Sequence, residues 1–149
     1  MSSFEGYHPL LTPKFRFDWL TQFRLKQVAA ITDQDLAETA EWINTNMHQT
    51  MSRNALTWGI ERRATHKLVG WGGFHTVDLP AHKGQAYLSG QTLPASEQQE
   101  IVDRLVNFAR EELQLTVLTL KDSQNLDDAV VAAAGFEQDA QQNWRWSKH

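Results

Sequence analysis

The runs Gln85 to Leu93 and Leu115 to Leu120 are rich in strand-forming residues, and a single long amphipathic segment joins them. Ile101, Leu105, Phe108 and Glu112 share one helical stripe with Val102, Ala109 and Leu113 beside it, so the spacing predicts a helix over 97–113. Strands joined through a helix lie parallel, by a right-handed crossover. The segments before residue 93 read instead as antiparallel neighbours. A parallel pair is therefore set into a mostly antiparallel sheet, and the class is α+β with helices on both faces.

Leu56, Trp58 and Ile60 alternate with their neighbours, Thr65-His66-Lys67 supplies a turn, and Leu68 to Phe74 forms a second strand, which predicts a hairpin. Gly70, Gly72 and Gly73 in that strand predict either a bulge or the close approach of another backbone. Pro80 to Gly84 makes the next turn. Thr32-Asp33-Gln34-Asp35, followed by Leu36, Ala40, Ile43 and Met47, predicts a capped amphipathic helix of about four turns. Upstream, Phe15, Phe17 and Trp19 alternate, and Phe23 and Leu25 resume the alternation, predicting one or two strands before residue 31. Residues 1–22 are read as an N-terminal arm or extra strand of a single domain spanning 1–149. Ser123 or Asn125 caps a late helix that Gly135 ends, and Phe136 with Trp144 and Trp146 gives a closing strand pair.

With 149 residues and 41% hydrophobic content, the chain can bury one core without metal or disulfide support. Fourteen Lys and Arg against eighteen Asp and Glu give a net charge of -4 with no basic stripe, so nucleic acid is not an expected partner. The absence of cysteine excludes a disulfide scaffold, a thiolate zinc site and a cysteine nucleophile, and fits a cytoplasmic protein. The opening residues do not read as a secretory signal, and no apolar stretch is long enough to span a bilayer. The histidines are scattered without metal-ligand spacing, so no metal is expected. Ser52, Ser89 and Ser96 lack the context of a nucleophile elbow.

The junction Pro94-Ala95-Ser96-Glu97-Gln98-Gln99-Glu100 contains no glycine and two carboxylates. Ser96 and Gln99 have capping-box spacing, which predicts that helix amides are satisfied internally. Glu97 and Glu100 would occupy the positive end of the helix dipole. Both features oppose an incoming phosphate at a place where helices commonly bind one.

The element order resembles that of the general-control N-acetyltransferase (GNAT) superfamily, especially the branch of ribosomal-protein alanine acetyltransferases, from about Phe23 to Trp146. The resemblance is carried by Trp58-Gly59-Ile60-Glu61, by His66-Lys67-Leu68-Val69-Gly70-Trp71, by Leu93-Pro94 with Ile101 and Leu105, and by Asn125 to Gly135-Phe136. It implies a cleft between two splayed parallel strands that binds acetyl-coenzyme A, and transfer of the acetyl group to an amine of a small molecule or protein. By that resemblance the backbone of Ser89, Gly90 and Gln91 pairs with the pantetheine arm, and the segment with Ser96, Gln98 and Gln99 holds the diphosphate. The family's loop signature, Gln/Arg-x-x-Gly-x-Gly/Ala, falls on Glu97, Glu100 and Val102, and none matches.

The tyrosine that many members carry four residues before the late glycine is replaced by Val131, which leaves Tyr87 as the tyrosine near a cleft. Glu61 and His75 lie on the hairpin strands as candidate bases, and the late-helix asparagine falls on Gln124 or, with a one-residue deletion, on Asn125. Two functions follow: an acetyltransferase with an altered cofactor loop, or a GNAT-like domain that has lost coenzyme A and serves as a ligand-binding or interaction module, with homodimerisation as one form of it. A third is an accessory protein whose aromatic arm, including Phe4, Tyr7, Phe15 and Phe17, clasps a partner.

Overall fold

The computed structural model describes residues 9–51, 55–121, 126–140 and 143–147. Strands β1 (Leu10–Leu11), β2 (Phe15–Trp19), β3 (Leu56–Arg62), β4 (Lys67–Asp78), β5 (Lys83–Gly90), β6 (Val117–Lys121), β7 (Glu137–Gln138) and β8 (Trp144–Ser147) form one sheet in the order β1-β2-β3-β4-β5-β6-β8-β7. Helices α1 (Leu25–Thr32) and α2 (Leu36–Met51) pack on one face, and α3 (Ala95–Glu111) and α4 (Asp128–Ala133) on the other. Among the described residues β5 and β6 are the one parallel pair of neighbouring strands, joined through α3 as the crossover requires.

The larger core lies under α3. Trp58, 1% exposed, is its centre: its ring meets Phe108 edge-on at 5.0 Å and Phe74 at 6.0 Å, and stacks on Trp19 at 5.7 Å. The smaller cluster of Leu20, Val28, Ile43 and Leu68 lies under α1 and α2. Because both faces are covered, β3 is buried from Leu56 through Glu61 rather than on alternate residues.

Several elements differ from expectation. Residues 25–32 form α1 where the alternation of Phe23 and Leu25 predicts a strand. Leu25, Val28, Ala29 and Thr32 also fit a helical stripe, and the packing of buried Val28 with Leu20, Ile43 and Leu68 selects that period. Asp33 then adopts a left-handed conformation that closes α1, while the Asp35 carboxylate accepts the Glu38 amide at 2.7 Å and caps α2. The buried stripe of α2 is Thr39, Ile43 and Thr50, with Leu36 46% exposed. These threonines tolerate burial because their hydroxyls donate to the carbonyls of Asp35 and Asn46.

The glycines of β4 satisfy both readings. The β3–β4 register shifts between Ile60 and Glu61, beside Gly70, and the β4–β5 register shifts between Phe74 and Thr76. A Cβ on Gly70 would lie 2.5 Å from the Ser89 carbonyl oxygen, and one on Gly72 would lie 2.8 Å from that of Tyr87. Strand β5 is displaced toward the N-terminus of the predicted 85–93 run, because Lys83 and Gly84 pair with Asp78 and Val77 and the chain turns at Gly90, whose φ is +119°. Gly135, at φ +100°, ends α4 as expected, but the helix starts later than expected, at Asp128 with Asp127 as its N-cap rather than Ser123 or Asn125, which lie outside the described residues.

Candidate functional site

The ladder between β5 and β6 reaches from Lys83–Val117 to Tyr87–Lys121, so among the described residues it stops three residues before β5 ends. On the α3 face beside the end of β5 is a small apolar cavity, about 10 Å³ and so roughly the size of one water molecule, whose walls include Ile60, Val69, Leu88, Ser89 and Ile101. Trp58, Trp71 and Trp144 do not line it. The pinch beside it is made by glycine: Gly70 and Gly90 are register partners, and a Cβ on Gly90 would fall on the Gly70 Cα. Ser89 and Gln91 border the cavity, with the Gln91 amide donating to the Val69 carbonyl at 3.0 Å.

The start of α3 is not the capping box that the spacing predicts. Pro94 is the N-cap, no side chain caps the helix, and Ser96 is exposed on its second residue. The helix begins at Ala95, directly after Pro94, whose ψ of 151° is still extended, so Ser96 is already inside the helix rather than capping it. The first intrahelical bonds run from the amides of Glu97 and Gln98 to the Pro94 carbonyl, so the amides of Ala95 and Ser96 precede any helical acceptor. Gln99 bonds along the helix to Asp103 at 2.8 Å.

Neither carboxylate is bare. Glu97, 8% exposed, receives a two-pronged bond from the Arg62 guanidinium, both contacts 2.7 Å, with the Lys14 ammonium 3.9 Å away. The Arg62 bond holds the Glu97 carboxyl below its ordinary range, against the opposing effect of burial. Glu100 accepts the Thr12 hydroxyl and, at 2.8 Å, the Lys14 amide. The repulsion expected from two free charges is thus offset within the fold.

A linked expectation concerns acid. Since the Glu97 pKa is depressed on folding, its contribution to stability is complete above the unfolded carboxylate range and is lost as pH falls through the depressed value. Thermal melts of Glu97→Gln and wild type should differ at neutral pH and converge in strong acid; a constant gap would refute the ion pair as the cause.

Gln98 is 2% exposed and ties two lips of the cleft together: its amide nitrogen donates to the Leu93 carbonyl at 2.7 Å, and its oxygen accepts the Asp127 amide at 2.8 Å. Gln98→Ala would leave both backbone groups without their side-chain partner and should cost about 1–3 kcal/mol, read by urea denaturation. An unchanged midpoint would count against the brace.

On the opposite face, a chain of hydrogen bonds runs from α2 into the sheet. The Asn46 side chain donates to the Trp42 carbonyl at 2.8 Å and accepts the Thr57 hydroxyl at 3.0 Å, and Thr57 meets the Tyr87 hydroxyl at 2.6 Å. Because the Thr57 proton is spent on Asn46, Tyr87 is the donor in the last bond. Burial pushes the Tyr87 pKa up to about 12, against the smaller opposing effect of the Thr57 bond. The phenol is therefore neutral, with its proton aimed inward. His75, at the β4–β5 bulge, stacks on the Tyr87 ring at 3.7 Å with 16° between planes.

The fold thus joins His75 with Tyr87 and leaves Glu61 apart. Glu61 pairs across the sheet with Leu68, seven residues and roughly 23 Å of extended strand from His75. It sits 3.3 Å from Arg16 Nε and 3.9 Å from His66 Nδ1. Asn125 lies outside the described residues. Arg62, Thr57 and Asn46 escape a linear reading, since Arg62 meets a carboxylate 35 positions away. Thr57 alone has a signal, as a polar residue inside an apolar strand. Among the described residues no group of three or more acidic or histidine side chains is placed to hold a metal, and no helix is long and apolar enough to cross a membrane.

No protein-family model matches the sequence, and no curated protein does. Solved structures share the fold closely. A proposed ribosomal-protein-serine acetyltransferase from Vibrio cholerae superposes with a TM-score of 0.80 at 14% identity, covering 95% of this chain and 98% of the other. RimL, the ribosomal L7/L12 alpha-N-protein acetyltransferase solved in complex with coenzyme A, gives 0.74 at 8% identity over 94% and 98% of the two chains. The ribosomal-protein-S5-alanine acetyltransferase from Vibrio fischeri gives 0.69 at 12% identity over 89% and 85%. The sheet order, the parallel β5–β6 pair and the helices on both faces are those of the GNAT acetyltransferase fold.

Proposed function

We propose that the protein is an N-acetyltransferase that moves an acetyl group from acetyl-coenzyme A to an amine of a small molecule or protein. The observation that carries this reading is the meeting of the end of β5, where Gly90 turns the chain beside a small apolar cavity, with the start of α3, whose first amides no side chain caps. Those features suit the parts of the cofactor: the backbone at the end of β5 an extended pantetheine arm, the Ala95 and Ser96 amides a diphosphate. Bound there, acetyl-coenzyme A supplies a thioester open to attack by a neutral amine.

Ser89, Gly90 and Gln91 are the backbone positions proposed to flank the arm, and Gln98 braces the two sides of the cleft. His75 is assigned as the group that takes the proton of the acceptor ammonium, because it is exposed and stacks on Tyr87, two residues before Ser89 on β5. Tyr87 keeps its proton, shared with Thr57, and so positions His75; the coenzyme A thiolate released as the C–S bond breaks would take up, through water, the proton that the acetylated nitrogen loses. Glu61, bound up with Arg16 and His66, is given a structural role. The proposed setting is the cytoplasm, with no metal.

Calorimetric titration with acetyl-coenzyme A, followed by mass spectrometry of an amine and peptide panel, tests the reading. Saturable binding and a 42 Da gain on one class of amine are expected from the mass of an acetyl group. Absence of binding at millimolar cofactor would transfer the protein to the reading of a GNAT-like binding module.

A further inference from the structure

We propose that Arg62, with Lys14 beside it, is the positioning residue that lets the first turn of α3 accept the cofactor's diphosphate in a chain that lacks the glycine loop. This rests on the acetyl-coenzyme A reading above and deepens it. Against the loop signature of the resemblance, the sequence presents Glu97 at the Gln/Arg position and Glu100 at the first glycine, and an unpaired carboxylate in the first turn would repel a phosphate. The structure resolves the conflict by geometry.

Arg62 is the last residue of β3, brought to this end of the sheet because the β3–β4 turn and the C-terminal end of β5 lie at the same edge, with Gly70 paired to Gly90. Its guanidinium lies 5.3 Å from the centre of the Phe15 ring, which is fully buried and fixes the approach. Both prongs engage the two oxygens of Glu97, so the carboxylate presents a neutral pair rather than a charge. A lysine would supply the charge without the two-point hold. Glu100, three residues on, is taken by Thr12 and the Lys14 amide. Gln98, on another side of the helix, faces Leu93 and Asp127. The acidic side of α3 is therefore spent on the β1–β2 turn and the end of β3.

The test measures binding rather than turnover, using acetyl-coenzyme A and S-acetylpantetheine, which carries the same acetyl arm without the diphosphate. Arg62→Gln frees the Glu97 charge and should weaken acetyl-coenzyme A about tenfold or more at low salt, with a smaller loss at high salt. Its affinity for S-acetylpantetheine should match the wild type. Glu97→Gln, which removes the charge at its source, should bind acetyl-coenzyme A at least as tightly as the wild type, and the double variant should recover most of the loss. Equal weakening of both ligands by Arg62→Gln would make the pair a structural strut and overturn the proposal, as would failure of Glu97→Gln to rescue. A wild type that binds S-acetylpantetheine but not acetyl-coenzyme A would also overturn it while leaving the acetyl-arm site standing. A wild type that binds neither removes the cofactor reading itself.

Discussion

Trp58→Ala should lower the unfolding free energy by about 3–5 kcal/mol, the range for deleting a large aromatic from a packed core. Trp58 is 1% exposed and its ring contacts Phe17, Trp19, Phe74 and Phe108, which come from strands β2 and β4 and from helix α3. The hole left behind would border four aromatic rings that cannot all move inward at once. Against a total stability of about 5–15 kcal/mol for a domain, the variant should be partly unfolded at modest urea. Trp58→Phe keeps much of the volume and should lose considerably less. Chemical denaturation of the three proteins measures this, and near-equal midpoints would mean that the core is organised around another residue.

Gly90→Ala is expected to damage the site although it adds a single methyl group. At φ +119° an alanine is strained by about 1–3 kcal/mol, and its Cβ would collide with the Gly70 Cα and lie 2.7 Å from the Val69 carbonyl oxygen. These are backbone atoms, which cannot rotate away as a side-chain end can. Relief requires β4 and β5 to part beside the cavity. Both the melting temperature and the affinity for acetyl-coenzyme A should fall. Gly84→Ala is the comparison, because its nearest neighbour is the tip of the Leu115 side chain at 2.7 Å, which has freedom to move. If both variants behave alike, the Gly70–Gly90 contact is not what shapes the site.

Much of the sheet was legible from local pattern. The hairpin, the long helix of Ile101, Leu105 and Phe108, and the stop at Gly135 each depend on periodicity or on one backbone conformation. The segment at 25–32 was not, because two polar residues between Leu25 and Val28 fit a short strand as well as a helix, and contacts with Ile43 and Leu68 make the choice. The candidate site divides in the same way. Tyr87 and His75 could be placed on neighbouring strands, but their stacking follows from the bulge at His75, which local composition does not encode.

What the amino-acid order alone established is the parallel crossover, since a helix between two strands leaves the chain no shorter way back. It also established that the junction from Pro94 to Glu100 has no glycine. Whether Glu97 and Glu100 forbid a phosphate depends on partners distant in the chain: Arg62, Lys14 and Thr12 reach them only after β2 and β3 are laid side by side. Charge is a local property of a residue, but its cost is set by what the fold brings within a few ångströms of it.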